Sequence, residues 1–571
     1  MKKKYPLVLV VFIVIFLSQG HVAFASSLDS LIVKVDRLFA EWDKPGSPGC
    51  ALGVIQDGKL IFARGYGMAS LEYDIPITPK SVFRIGSTSK QFTAMCIALL
   101  EEQGKCSLDD DIRAYLPEMP AYDRPITIRH LIHHTSGVRD YLTLMSLAGM
   151  RDDDYLVDGE VLDLIARQKS LNFTPGDDRL YSNSGYFLLS VIVKRVSGQT
   201  LREFALEHIF EPLGMANTHF HDDHTMIVEH RASGYLPTED GSFRICMTTL
   251  DMVGDGGVFT SVEDLTKWDM NFYDNRLGSG GEGLIRRMLE TGHLNNEEPF
   301  TYAMGLNVGE YRGLKMISHG GAFVGFRAEM IRFPEQRFSV ICLANLGTFQ
   351  PTRLARRVAD IFLADVFPET SEEEGTAPDE ASFITLSPKN LKKLAGLYHQ
   401  HETHDVWNVF LQEDKLYTKV NGGQPLELAA LSKTAFVLAQ YPSALTVTFK
   451  AQKPRMLLEV QRGDGEPTAY EAMDAVDVPE ARLPGYTGDY FSDELMVTYR
   501  VVKEEGRLFL RHENEHKDYP KEPLEPTLTD RFVVAGMGVH FIRDAQDAVT
   551  GFSLNAGRVK DIRFVRTPDD E

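Results

Sequence analysis

Cysteine is scarce in this chain: five in 571 residues, at positions 50, 96, 106, 246 and 342. An odd number, so widely spaced, excludes the kind of disulfide framework that holds small secreted domains together. Cys50, Cys96 and Cys342 sit inside apolar stretches and read as small core residues. Membrane-length apolar runs are lacking as well. The run PLVLVVFIVIFL at 6–17 is shorter than the ~20 residues that span a bilayer. It follows Lys2, Lys3 and Lys4 and precedes Ala23-Phe24-Ala25, the pattern of an export signal cleaved before Ser26. No cysteine stands after that site to carry a lipid, so the expectation is a periplasmic or extracellular protein with no stable membrane anchor. Basic patches are missing too. Sixty Lys and Arg stand against 81 Asp and Glu, a formal charge of −21 at pH 7, and the cations are scattered, which excludes nucleic acid as a partner.

What is present is an ordinary globular mixture, 43% hydrophobic and 25% charged, in a chain too long for one core. Leu28, Leu31, Ile32, Val35, Leu38 and Phe39 carry helical spacing over 27–43. GCALGVIQDGKLIFARGYG is two apolar runs around Asp57-Gly58, a hairpin signal. KMISHGGAFVGFRAEMIRFPEQRFSVICLANLG reads as three strands, with Pro334-Glu335-Gln336 as a turn. Strands at both ends of 26–367 with helices between predict an α+β domain: an antiparallel sheet closed by distant segments and flanked by helices, plus an all-helical subdomain. A helix ending near Phe367 leads into PETSEEEGTAPDEAS, so 368–387 is an acidic linker. Beyond it lies a repeat. Gly396-x-Tyr398 returns as Gly488-x-Tyr490, Val409 as Val501, Leu416-Tyr417 as Leu508-Phe509 and Phe449 as Phe541, always 92 residues on. Two small antiparallel β-barrel-like domains of about eight strands follow, at 388–474 and 485–571, joined by a linker at 475–484.

FRIGSTSKQFTAMCIALLEEQGK places Ser87 and Lys90 one turn apart at the head of a helix whose apolar face is Phe92, Met95, Cys96 and Leu99 and which Gly104 ends. Serine-x-x-lysine alone is equally an N-capping serine and a solvated lysine. Two other elements change the balance. Tyr181-Ser182-Asn183 stands in a Pro/Gly-rich loop leading into a helix, and His319-Gly320-Gly321 ends a strand. In this order and at these separations the three resemble the serine β-lactamase and penicillin-binding-protein superfamily, in its class C-like branch. The phrases LIHHTSGV, EPLGMANTHF, GDGGVFTSVEDLTKW and YAMGL extend the resemblance over about 30–367.

The resemblance implies a serine hydrolase in which Ser87 attacks an amide or ester carbonyl and forms an acyl-enzyme. A hydroxyl needs a base and a site for the developing negative charge. Lys90 is the implied base, given a pKa depressed by burial and nearby positive charge. Tyr181 shares the proton transfer and protonates the leaving group, Asn183 holds Lys90 and the substrate amide, and the backbone N–H groups of Ser87 and Ala322 form the oxyanion hole. Gly320 and Gly321 leave room for an extended substrate against their strand. His319 departs from the lysine that penicillin-destroying members often carry, and points to peptidases and D-aminopeptidases acting on small peptides. In those aminopeptidases a barrel loop reaches the active site. A carboxylesterase or weak β-lactamase would use the same residues, and a non-catalytic scaffold is the third reading. A carboxypeptidase would need a cation for a terminal carboxylate, for which Arg312 and Arg327 are candidates. No cofactor or metal is implied, because serine, lysine and tyrosine move the protons unaided. His219, His221, Asp222, Asp223 and His224 form a metal-like cluster that reads better as exposed loop histidines. His130, His133 and His134 are assigned to packing and loop hydrogen bonds, and Lys267 and Trp268 to structure.

Overall fold

The computed structural model describes residues 28–568 except 152–153, 369–382, 440, 462–466 and 513–522. The stretch at 1–25 read as an export signal and the acidic part of the expected linker at 369–382 lie outside the described residues. No helix among the described residues is long and apolar enough to cross a membrane.

A six-stranded antiparallel sheet runs Asn307–Tyr311, Leu314–Phe323, Phe326–Phe333, Phe338–Ala344, Cys50–Gln56, Lys59–Tyr66. The N-terminal hairpin turns at Asp57 and Gly58, at φ 51 and 72, the left-handed pair a two-residue turn requires. It closes the sheet by pairing Leu52 with Cys342 and Val54 with Val340. The edge strand Asn307–Tyr311 is an addition to the three strands expected from sequence. On one face lie the helix over 28–39, shorter than the 27–43 expected, and the helix Pro351–Phe362, which stops five residues before Phe367. Val35, Phe39, Leu354 and Val358 join Leu52, Val54 and Val340 in one core there. The other face packs on Val262–Asn271 and Lys90–Glu102, beyond which the helical subdomain is built. None of the five cysteines is in a disulfide.

Both C-terminal domains are eight-stranded. The first closes into a barrel, Gly396–His399 through Thr468–Met473, the last strand pairing with the first. The second, Gly488–Ser492 through Val559–Arg566, keeps the same strand succession, and among the described residues Arg507–His512 meets the segment before Glu525–Leu528 through the bridge Phe509↔Pro523. The stretch read as the second linker is partly structured. Glu480–Tyr486 is a 3₁₀-helix, and burial of Leu483 and Tyr486 under the second barrel draws it into that domain.

Candidate active site

The turn Gly86–Ser89 is a 3₁₀-helix that runs directly into the helix Lys90–Glu102. Gly86 has φ 51, and a Cβ there would stand 2.8 Å from the Ala322 nitrogen. Only glycine lets the nucleophile turn approach the sheet so closely. The same contact explains Gly321, whose added Cβ would fall 1.8 Å from the carbonyl oxygen of Ile85. The glycine is therefore required by the protein's own backbone, which differs from the expected role of making room for substrate.

Lys90 is fully buried. Its Nζ has three oxygen neighbours: Ser87 Oγ at 3.1 Å, Asn183 Oδ1 at 2.9 Å and the Asp255 carbonyl at 2.7 Å. It also lies 4.8 Å from the centre of the Tyr181 ring and 5.4 Å from that of Tyr186. Asn183 opens the helix Asn183–Ser197, where its N–H donates to Asp140 Oδ2 at 2.7 Å. Tyr181 lies in the loop before that helix with its hydroxyl buried and without a hydrogen-bond partner. Its ring packs at 4.1 Å on His134, whose Nδ1 accepts from the Ser182 N–H. Burial, first, and the charge of Lys90 hold the His134 pKa well below the ordinary value, so this ring is a neutral support.

His319 lies at the far wall. Its Nδ1 is 2.7 Å from the Gly320 carbonyl and its Nε2 3.0 Å from the Tyr302 hydroxyl, so the ring donates to the first and accepts from the second. Burial, then Lys90, lower its pKa to about 4. At neutral pH the third motif carries no positive charge. These groups line a cleft of about 500 Å³, bordered by Ser87, Tyr181, Asn183, His319, Gly320, Gly321 and Ala322. Ser87, Tyr181, Asn183, His319, Gly320 and Gly321 are thus brought to one cavity, with Lys90 directly beneath Ser87.

Three contributors escaped the sequence reading. Asp255, in the quoted GDGG phrase, supplies the carbonyl on Lys90, while its buried carboxyl, pushed up by desolvation, accepts from the Tyr141 hydroxyl at 3.1 Å. Tyr302, in YAMGL, fixes the His319 tautomer. Arg558 comes from the second barrel: its guanidinium lies 4.8 Å from the Tyr181 ring centre and lines the cleft. A barrel turn therefore does reach the site. Of the two arginines considered as carboxylate binders, Arg312 pairs with Asp360 at 2.8 Å and stacks on Phe367, away from the cleft. Arg327 borders the cleft, but its Nη1 donates to the Val324 and Phe326 carbonyls.

The remaining histidines are engaged elsewhere. His219 and His221 are not exposed as expected; they stack on Phe259 with their ring nitrogens 3.2 Å apart. Asp222 pairs with Arg202, His224 with Asp251, and Asp223 caps Thr225. His130 accepts from the Thr127 N–H, and His133 meets the Tyr302 carbonyl. Trp268 donates to Gln91 at 2.6 Å and Lys267 pairs with Asp264. Among the described residues no group of three or more His, Cys, Asp or Glu is arranged to hold a metal ion.

Known proteins resemble this chain. A D-aminopeptidase of Gluconobacter oxydans (strain 621H) is 29% identical over 357 residues, 62% of this chain and 65% of the relative, just under two thirds of that protein's length. A penicillin-binding protein of Bacillus subtilis (strain 168) is 28% identical over 403 residues, 67% of this chain and 86% of the relative. The octameric penicillin-binding protein homologue from Pyrococcus abyssi superposes with a TM-score of 0.54 at 22% identity, over 86% of this chain and 98% of that one, which shows a common fold. The Beta-lactamase family model matches residues 35–364, more than half of the sequence. The chain belongs to the Beta-lactamase family.

Proposed function

We propose that this protein is an exported serine hydrolase that cleaves amide bonds of small peptides containing D-amino acids, by acyl transfer through Ser87. The observation that carries the reading is the environment of Lys90 Nζ. Lys90 Nζ stands 3.1 Å from Ser87 Oγ while Asn183 Oδ1 and the Asp255 carbonyl accept two of its N–H groups; loss of the third proton turns a lone pair to the Ser87 hydroxyl. As Ser87 Oγ bonds to the substrate carbonyl carbon, its proton passes to Lys90. The carbonyl oxygen, now charged, is stabilised by the N–H groups of Ser87 and Ala322, one such donor being worth ~10²–10³ in rate. Collapse breaks the C–N bond, and the leaving nitrogen takes a proton through Tyr181, whose hydroxyl has no competing partner. Water then releases the acyl group by the same route in reverse.

The D-aminopeptidase similarity supports a D-configured peptide substrate, and the uncharged His319 supports a peptidase over a penicillin-destroying enzyme. Export is supported by Lys2–Lys4 and the apolar run before Ala23-Phe24-Ala25. The test is a hydrolysis panel on purified protein: D- and L-alanine p-nitroanilides, an acylated D-alanyl-D-alanine, a short-chain p-nitrophenyl ester and a chromogenic cephalosporin. D-configured amides should turn over fastest, and Ser87→Ala should lose more than about 10³-fold. Fast cephalosporin turnover, or ester cleavage alone, overturns the substrate assignment; a fully active Ser87→Ala overturns the mechanism.

A further inference from the structure

We propose that Arg558, delivered by the second barrel, anchors a carboxylate on the expelled part of the substrate, so that the preferred leaving group is an amino acid with a free C-terminus. The inference rests on the acyl-transfer reading above and deepens it. It begins with the charges around the cleft. His319 is uncharged, and Lys90 is committed beneath Ser87. Asp255 has its carboxyl engaged by Tyr141. Arg327 has one guanidinium nitrogen spent on two carbonyls. Arg558 also borders the cavity, with its guanidinium over the Tyr181 ring.

Its placement is enforced by the backbone rather than by its own charge. Gly557 and Arg558 form the turn between Val549–Ala556 and Val559–Arg566, and Gly557 takes φ 52, a left-handed value. The Arg558 carbonyl accepts from Asn172 Nδ2 at 2.9 Å and from the Asp140 N–H at 3.4 Å. The turn is thereby fastened to the catalytic domain while the side chain, 44% exposed, extends over Tyr181. The nearest carboxylate, Asp140 Oδ2, is 3.7 Å away and already accepts from the Asn183 N–H at 2.7 Å. A planar guanidinium whose ion pair with Asp140 is long, at 3.7 Å, and which opens to a cleft can take a carboxylate ligand bidentately. Because Tyr181 protonates the leaving nitrogen in this mechanism, a cation on its ring faces the expelled group.

A purely structural clamp on Tyr181 is the competing role, and paired substrates separate the two. An acylated D-alanyl-D-alanine and its C-terminal carboxamide differ only in the charge at issue. The native protein should favour the free acid by at least about tenfold in kcat/KM, Arg558→Gln should bring that ratio to about one, and Arg558→Lys should retain part of it. Equal kcat/KM for the two substrates in the native protein, or equal losses for both in Arg558→Gln, overturns the anchor. Binding of the same two peptides to Ser87→Ala, with and without Arg558→Gln, is measured by calorimetry and does not depend on turnover. If neither peptide is hydrolysed but the acid binds more tightly in an Arg558-dependent manner, the acyl-transfer reading fails and the anchor stands. If the two peptides bind equally, or neither binds, the anchor fails.

Discussion

Gly396 pairs with Val409 in the first barrel and Gly488 with Val501 in the second, 92 residues on. Tyr398 then meets Phe449 edge-on at 5.7 Å, and Tyr490 meets Phe541 at 6.0 Å. From this common frame the two domains diverge in what they touch. The first keeps a core of its own, around Trp407, Phe436, Phe449 and Tyr470. The second has no separate core: Tyr490, Tyr499, Phe552 and Phe564 belong to the same cluster as Tyr141, Leu144 and Leu147 of the catalytic domain. At its centre Arg139 and Glu494 form a buried ion pair at 2.6 Å. The Arg139 guanidinium spends all five N–H groups, on Glu494, Gln168, Ser170 and the carbonyls of Lys560 and Asp561. One residue on, Asp140 holds the Asn183 N–H. The repeat thus comprises one domain with a core of its own and one that forms part of the wall of the active site.

The strongest way to break this contrast is to remove Glu494. Glu494→Ala leaves the Arg139 charge buried without its counter-ion, a loss of about 3–5 kcal/mol. Denaturant unfolding of the catalytic domain should shift by that amount, and kcat/KM should fall with it as the turn at 557–558 loosens. Combining Glu494→Leu with Arg139→Met, which removes both charges, should restore much of the stability. A shift under about 1 kcal/mol in the single variant would mean that the ion pair does not hold the domains together.

The complementary change is Trp407→Ala in the first barrel. Trp407 is 1% exposed, and its truncation should cost about 3–5 kcal/mol within that domain. Turnover should nonetheless stay at the native level, because no described residue of the first barrel lines the cleft. Loss of activity in parallel with loss of that fold would show that the first barrel also supports the site.

The contrast also marks what the sequence could and could not convey. Periodicity and turn chemistry are local, so the Asp57-Gly58 hairpin, the three-strand run ending at Ala344 and the helix behind Lys90 were legible, as was the repeat, because a register kept twice leaves a constant offset. The serine, tyrosine and histidine motifs were legible through their order and separations, which resemble a known superfamily, since serine-x-x-lysine alone is equally an N-capping serine and a solvated lysine. Arg139, Glu494 and Arg558 were not. Their contacts join segments as far as 422 residues apart, between Arg139 and Asp561. They depend on how two finished surfaces meet, and no periodicity records that. Gly321 was legible as a glycine but not for its reason, since the Ile85 carbonyl that forbids a side chain is remote in sequence.

Acid should act on the same division. In the catalytic domain His133 and His319 have pKa values lowered to about 4, chiefly by burial, and burial also holds His134 well below the ordinary value. An unfolded histidine takes up a proton below about 6.5, whereas these folded ones do not until about 4, so between those values the unfolded state binds more protons. Stability is therefore complete above pH 6.5 and declines as the pH falls toward 4. The first barrel has His399, lowered to about 4, and His404, lowered to a lesser extent. Melting temperatures read across pH 7 to 4 should fall more steeply for the catalytic unit than for the first barrel. Parallel slopes would mean that the catalytic histidines are not the groups being titrated.

The smallest effect tests the shared frame itself. Tyr398 donates its hydroxyl to the Leu394 carbonyl at 2.8 Å and Tyr490 to the Tyr486 carbonyl at 2.7 Å, the same bond to the residue four places earlier, made once in each barrel. Both rings are buried, so Tyr398→Phe and Tyr490→Phe should each cost about 1 kcal/mol, the price of leaving one carbonyl unpaired. What should differ is where the loss is felt. Hydrogen exchange should quicken only over 388–474 in Tyr398→Phe. In Tyr490→Phe it should quicken across the second barrel and the helix Tyr141–Leu147, because Tyr499 ties that helix to the barrel by donating to the Leu147 carbonyl at 2.8 Å. If the Tyr490→Phe effect stopped at the barrel's edge, the common core would be packed together without being cooperative, and the two repeats would be more alike than their surroundings suggest.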